Sequence, residues 1–71
     1  MKFKSVKEAK EAAREVLAEE VDVVCIRYDE EQEATEVVCL TKRGSYWMVK
    51  FYSENEIAFG MMKWAEDMQW V

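Results

Sequence analysis

A two-layer α+β domain of element order α-β-β-β-α is predicted for this chain by three observations. Two capping boxes, Ser5 with Glu8 and Ser53 with Glu56, each open a stretch with apolar residues at helical spacing. Between them lie three runs rich in β-branched and aromatic residues, over 21–28, 34–41 and 46–52, separated by turn residues. Finally, the 71 residues contain no proline, no repeat and no Gly/Ser-rich linker, so one compact domain over 1–71 is expected.

The first helix is expected from residue 6 to residue 19 or 20, because Val6, Ala9, Ala13, Val16 and Leu17 fall on one stripe. The second is expected over 54–70, with Ile57, Met61, Trp64, Ala65 and Met68 on one side. The three strands form an antiparallel meander in this reading, with both helices packed on one face. Centring the first turn on Gln32 places Val24, Ile26 and Tyr28 opposite Leu40, Val38 and Glu36. Centring the second on Arg43 and Gly44 places Leu40 opposite Trp47 and Val38 opposite Val49. The expected core face is then Val24, Ile26, Tyr28, Val38, Leu40, Trp47, Val49 and Phe51. The opposite face, with Val23, Cys25, Arg27, Thr35, Val37, Cys39 and Thr41, is left uncovered.

Composition narrows the function classes. A hydrophobic fraction of 51% with 13% aromatics is too rich for a disordered chain. A domain this short buries only about 60% of the surface that its unfolded chain exposes, so a second copy or a partner would add materially to its core. No apolar run approaches the roughly 20 residues of a membrane span, and no signal-peptide pattern precedes the first helix. A cytoplasmic chain is expected.

Histidine is absent, which removes the usual general acid/base, and Ser5 and Ser53 are better used as helix caps and Ser45 as a turn residue. No enzyme activity, cofactor or metal is expected. Cys25 and Cys39 are equidistant from Gln32 and fall across from one another in the expected register. A disulfide is conceivable there; the alternative is two reduced cysteines acting as small hydrophobes.

Charge is concentrated rather than spread. The net charge is −5, with residues 1–18 at +2, residues 19–36 at −7 and residues 37–71 neutral. On the first helix Glu8, Glu11, Glu15 and Glu19 share one side, and Glu19 and Glu20 stand at the C-terminal end, where the helix dipole disfavours carboxylates. Asp29, Glu30, Glu31, Glu33 and Glu36 crowd the first hairpin turn. Carboxylates one helical turn apart are spaced about 6 Å, sparser than the one phosphate per ~3.4 Å of a DNA strand, so the 29–36 turn, or a second subunit, would have to extend the row. A separate apolar surface is expected from Phe59, Met62 and Trp70 on the outer side of the second helix, or from Tyr46, Met48 and Tyr52 on the uncovered sheet face.

The element order resembles that of the double-stranded-RNA-binding domain. That family grips phosphates with a lysine-rich start to its second helix, whereas this chain has Ser53-Glu54-Asn55-Glu56 there, which opposes RNA binding. In size and acidity the chain is similar to small phage-encoded host-takeover proteins that mimic nucleic acid, among them the Bacillus-phage inhibitor of the nucleoid protein HU. The residues that carry this likeness are Glu8, Glu11, Glu15, Glu19, Glu20, Asp29, Glu30, Glu31, Glu33 and Glu36. The resemblance implies a non-enzymatic inhibitor whose acidic surface blocks the DNA-binding site of a basic host protein such as HU. The alternative is a small homodimeric adaptor or subunit that binds a protein partner through one of the apolar surfaces.

Overall fold

The structure is a computed structural model, and it describes residues 1–62. Helix α1 runs Val6–Leu17 and begins as the sequence requires: the Glu8 amide donates to Ser5 Oγ (3.2 Å) and the Lys4 amide to Glu8 Oε1 (3.3 Å). It stops two to three residues earlier than expected. Ala18 adopts a left-handed conformation, φ 57°, and its amide caps the Arg14 carbonyl at 2.8 Å. The early stop takes Glu19 and Glu20 off the negative end of the helix dipole and gives each a cation, Arg43 at 2.7 Å and Arg14 at 3.5 Å.

Four strands follow, β1 (Val21–Asp29), β2 (Ala34–Thr41), β3 (Tyr46–Phe51) and β4 (Ile57–Met61), in one antiparallel sheet of order β1-β2-β3-β4. The expected α-β-β-β-α order is therefore wrong: the described residues form α-β-β-β-β. Ser53 Oγ does accept the amides of Asn55 and Glu56, at 3.3 and 3.1 Å, as a cap would. The Tyr52 amide, however, donates to the Glu56 carbonyl at 2.9 Å, which closes a hairpin and sends the chain back along β3. Ile57, Phe59 and Met61 thus alternate on a strand instead of lining a helix. The remainder of the expected second helix, including Trp64, Met68 and Trp70, lies outside the described residues.

The register also departs from expectation, by one residue between β2 and β3 and, between β1 and β2, by one residue after a bulge and two before it. Val37 faces Val49 and Cys39 faces Trp47, at the places where Val38 and Leu40 are expected. On β1 a bulge between Val23 and Cys25 shifts the ladder, so that Val23 faces Cys39 and Cys25 faces Val38. A one-residue slip turns a whole strand over. Val21, Val37, Cys39, Val49 and Phe51 form the buried core with Ala9 and Ala13 of α1. Val24, expected inside, is 50% exposed at the bulge, and Ile26 and Tyr28 lie at the edge of the covered area. Val38 is buried, but on the face opposite the helix. The slip also separates the two cysteines onto opposite faces, and both are free thiols.

Helix α1 packs on β1 and β2, and the N-terminal residues extend that layer. Phe3 meets Phe51 edge to face with ring centroids 5.0 Å apart. Thr35 Oγ1 donates to the Met1 carbonyl, and the Met1 ammonium donates to the Glu33 carbonyl at 3.0 Å.

This packing makes Val37→Ala cost about 2 kcal/mol through lost methyl burial and the cavity left behind, and Val24→Ala less than about 0.5 kcal/mol. Urea unfolding of the two variants checks this, and equal losses would contradict the register. Burial pushes the Cys39 thiol up to about 11, so at mildly alkaline pH a thiol reagent should modify one cysteine, Cys25, in the native protein and the second only on unfolding. Two fast equivalents under native conditions would contradict that placement.

Candidate functional site

The residues of the acidic turn divide into those consumed by the fold and those left over. Asp29 Oδ1 accepts the amides of Glu31 (3.0 Å) and Gln32 (3.3 Å), which shapes the 30–33 turn, and Glu33 takes a left-handed φ of 51° to re-enter β2. These backbone donors, the Gln32 amide foremost, hold the Asp29 carboxyl below the usual range, and Lys50 adds to the effect from 3.5 Å. Glu36 is buried in the middle of the sheet's second face, where Arg27 reaches it at 2.9 Å and Lys50 at 3.4 Å. Burial works against the Lys50 charge, yet the hydrogen bond to Glu36, with Tyr52 and Asp29 close by, raises its pKa above the ordinary value. Asp29 and Glu36 therefore belong to a neutral network of two acids and two bases that allows charged side chains on a central strand.

The helix carboxylates divide likewise. Glu19 and Glu20 are paired with arginines, and Glu8 accepts the Lys4 amide at the helix start. Glu11 and Glu15 are exposed without a cation partner among the described residues. Lys10 reaches across to Asp22 at 3.8 Å. The expected continuous row from Glu8 to Glu36 is thus interrupted at Glu19, Glu20, Asp29 and Glu36.

What remains gathers at one end of the sheet. The Tyr52 hydroxyl donates to Gln32 Oε1 at 3.2 Å and ties the 30–33 turn to the loop before β4. Glu30, Glu31 and Glu33 therefore share an end of the molecule with Glu54 and Glu56, and all five are exposed and without a cation partner among the described residues. Glu15 approaches the same end, lining a groove of about 360 Å³ with Glu54, Val16, Phe51 and Ile57. The Met1 ammonium and Lys2, whose Nζ stands 4.5 Å from the Tyr28 ring centroid, temper this field on the helix side. Glu54 and Glu56 are the members that sequence reasoning missed, because Ser53-Glu54-Asn55-Glu56 reads equally as a helix start and as a turn.

Of the apolar residues singled out in the sequence, Met48, Phe59 and Met62 border one groove, and the others are placed apart from it. Phe59 is on the helix side of β4, 55% exposed, with its ring 6.3 Å from that of Trp47. Tyr46, Met48 and Met62 are on the opposite face, and a groove of about 430 Å³ along β4 is lined by Met48, Lys50 and residues 58–62, Phe59 and Met61 included. Tyr52 is at the acidic end, its ring 5.6 Å from Lys50 Nζ, and Trp70 lies outside the described residues.

Among the described residues no set of three or more His, Cys, Asp or Glu side chains is placed to hold a metal ion, and no helix is long and apolar enough to cross a membrane. No family model, curated protein or solved structure matches the chain.

Because its folded pKa lies below the unfolded value of about 3.9, Asp29 stabilises the fold fully above that value and loses its contribution as the pH falls through the folded pKa. Asp29→Asn should therefore be less stable than the parent at neutral pH, with the two urea midpoints converging in acid. A difference that is constant down to low pH would exclude this origin.

Proposed function

We propose that this chain is a non-enzymatic binding protein that presents carboxylates to a Lys/Arg-rich surface of a protein partner and competes there with nucleic acid. The observation that carries the reading is the Tyr52 to Gln32 hydrogen bond, which joins two acidic loops into a group of five carboxylates with no cation partner among the described residues. Buried or paired acids serve folding, whereas unpaired acids on neighbouring loops repel one another and are retained at a cost in stability. A basic surface evolved for phosphates offers each of them a charge-assisted hydrogen bond and releases its counterions as it does for DNA. The absence of histidine from the sequence supports binding over general acid/base chemistry. A bacterial nucleoid-associated protein such as HU is the proposed class of partner.

In this reading the contact residues are Glu30, Glu31, Glu33, Glu54 and Glu56, with Glu11 and Glu15 on the adjoining helix. The corresponding test is displacement of a fluorescent DNA duplex from purified HU, followed by anisotropy over a salt series. The chain should displace the duplex at low salt, with affinity falling steeply as salt rises, and the triple variant Glu30→Lys, Glu31→Lys, Glu33→Lys should bind about tenfold more weakly or worse. No displacement at low salt would overturn the proposed partner, and displacement unaffected by the triple variant would overturn the proposed surface.

A further inference from the structure

The two edges of the sheet are treated differently. β1 carries Asp22, Arg27 and Asp29 and is broken by the bulge at Val23/Cys25, two devices that discourage another strand from pairing there. β4 has neither device. From Ile57 to Met62 there is no charged side chain in a sequence of which 35% is charged, and every residue of the strand is exposed.

The backbone geometry says which groups this edge offers. The Met62 amide donates to the Tyr46 carbonyl at 2.8 Å and the Tyr52 amide to the Glu56 carbonyl at 2.9 Å, so the even-numbered residues of β4 turn their peptide groups toward β3. Ile57, Phe59 and Met61 consequently direct their N–H and C=O groups to the open side, where no described residue meets them. Their side chains share the helix face and are 36%, 55% and 65% exposed.

We infer that β4 pairs with β4 of a second copy in an antiparallel, two-fold arrangement centred on Phe59, joining two sheets into one of eight strands. That register sets Phe59 against Phe59 and Ile57 against Met61, each a hydrogen-bonding position on both strands, and gives an apolar contact at every opposed pair. Charge permits it despite a net charge of −5 per chain: Glu56 falls opposite Met62 of the other copy, and no carboxylate faces another along the strand. The antiparallel operation also carries the two acidic ends to opposite ends of the assembly, so their repulsion does not act across the seam. A seam of one strand is small by the standard of stable interfaces, so the association is weak and reversible. This inference does not depend on the acidic surface having a partner.

The experiment is sedimentation equilibrium of the full chain over micromolar to millimolar concentration at moderate salt, with circular dichroism as the check on folding. A monomer–dimer equilibrium should appear and be lost in Phe59→Lys, which places two ammonium groups at the two-fold axis. Because Phe59 also contacts the Trp47 ring, Met61→Lys serves as the second variant; it should weaken dimerisation at least tenfold with the fold retained. A monomer at all concentrations, or a dimer that survives Met61→Lys in a folded chain, would overturn the inference.

Discussion

Among the described residues, one helix on a four-stranded sheet is a covering problem. A helix with its side chains is about 10 Å across, and strands are spaced about 4.8 Å, so α1 spans two of the four. Its alanines bring it close: Ala9 and Ala13 are buried and pack in the cluster that holds Val37 and Cys39. Much of the remaining structure follows from that narrow seam. Phe3 and Met1 fill the space beside the helix over Phe51, while Ile57, Phe59 and Met61 on the outer half of the same face stay exposed. The division of the sheet into a covered half and an open half is the reason that β4 carries apolar residues without lying in the core.

The second face is governed by a different balance. Glu36 stands on β2, which has neighbours on both sides, and a carboxylate there would be costly if alone. Arg27 from β1 and Lys50 from β3 converge on it, and Asp29 completes the pairing of Lys50. The same arrangement decides which acids are left without a cation among the described residues. Those drawn into the network hold three strands together, and those beyond it, on the loops at the end of the strands, are the ones exposed to solvent.

Much of this fold was legible from residue chemistry. Ser5 and Glu8 located the start of α1, and the β-branched runs located β1, β2 and β3 to within a residue or so at either end. The register was not legible, because Val37, Val38, Cys39 and Leu40 are apolar in succession and offer no alternation to choose between the two faces of β2. The bulge on β1 adds a shift that no turn residue announces. β4 was misread because Ile57 and Met61 satisfy both a period of 3.6 and a period of 2, and the Ser53 cap forms in either case. For the candidate site, the turn acids were legible as a cluster. Their division into paired and unpaired groups was not, since it depends on Lys50 and Arg27 arriving from neighbouring strands. Nor was the addition of Glu54 and Glu56, which requires the hairpin in place of the helix.

The strand order has a kinetic consequence. Every strand of the sheet pairs with its neighbour in sequence, so three hairpins can form with short loops and little closure entropy. The contacts of the first few residues, Phe3 with Phe51 and Met1 with Glu33 and Thr35, join positions 32 to 48 residues apart. They gain a docking surface only once β2 and β3 are aligned. Folding should therefore proceed as zipping of the meander followed by late fastening of the N-terminal residues, which makes that fastening the part of the molecule that opens most readily from the native state.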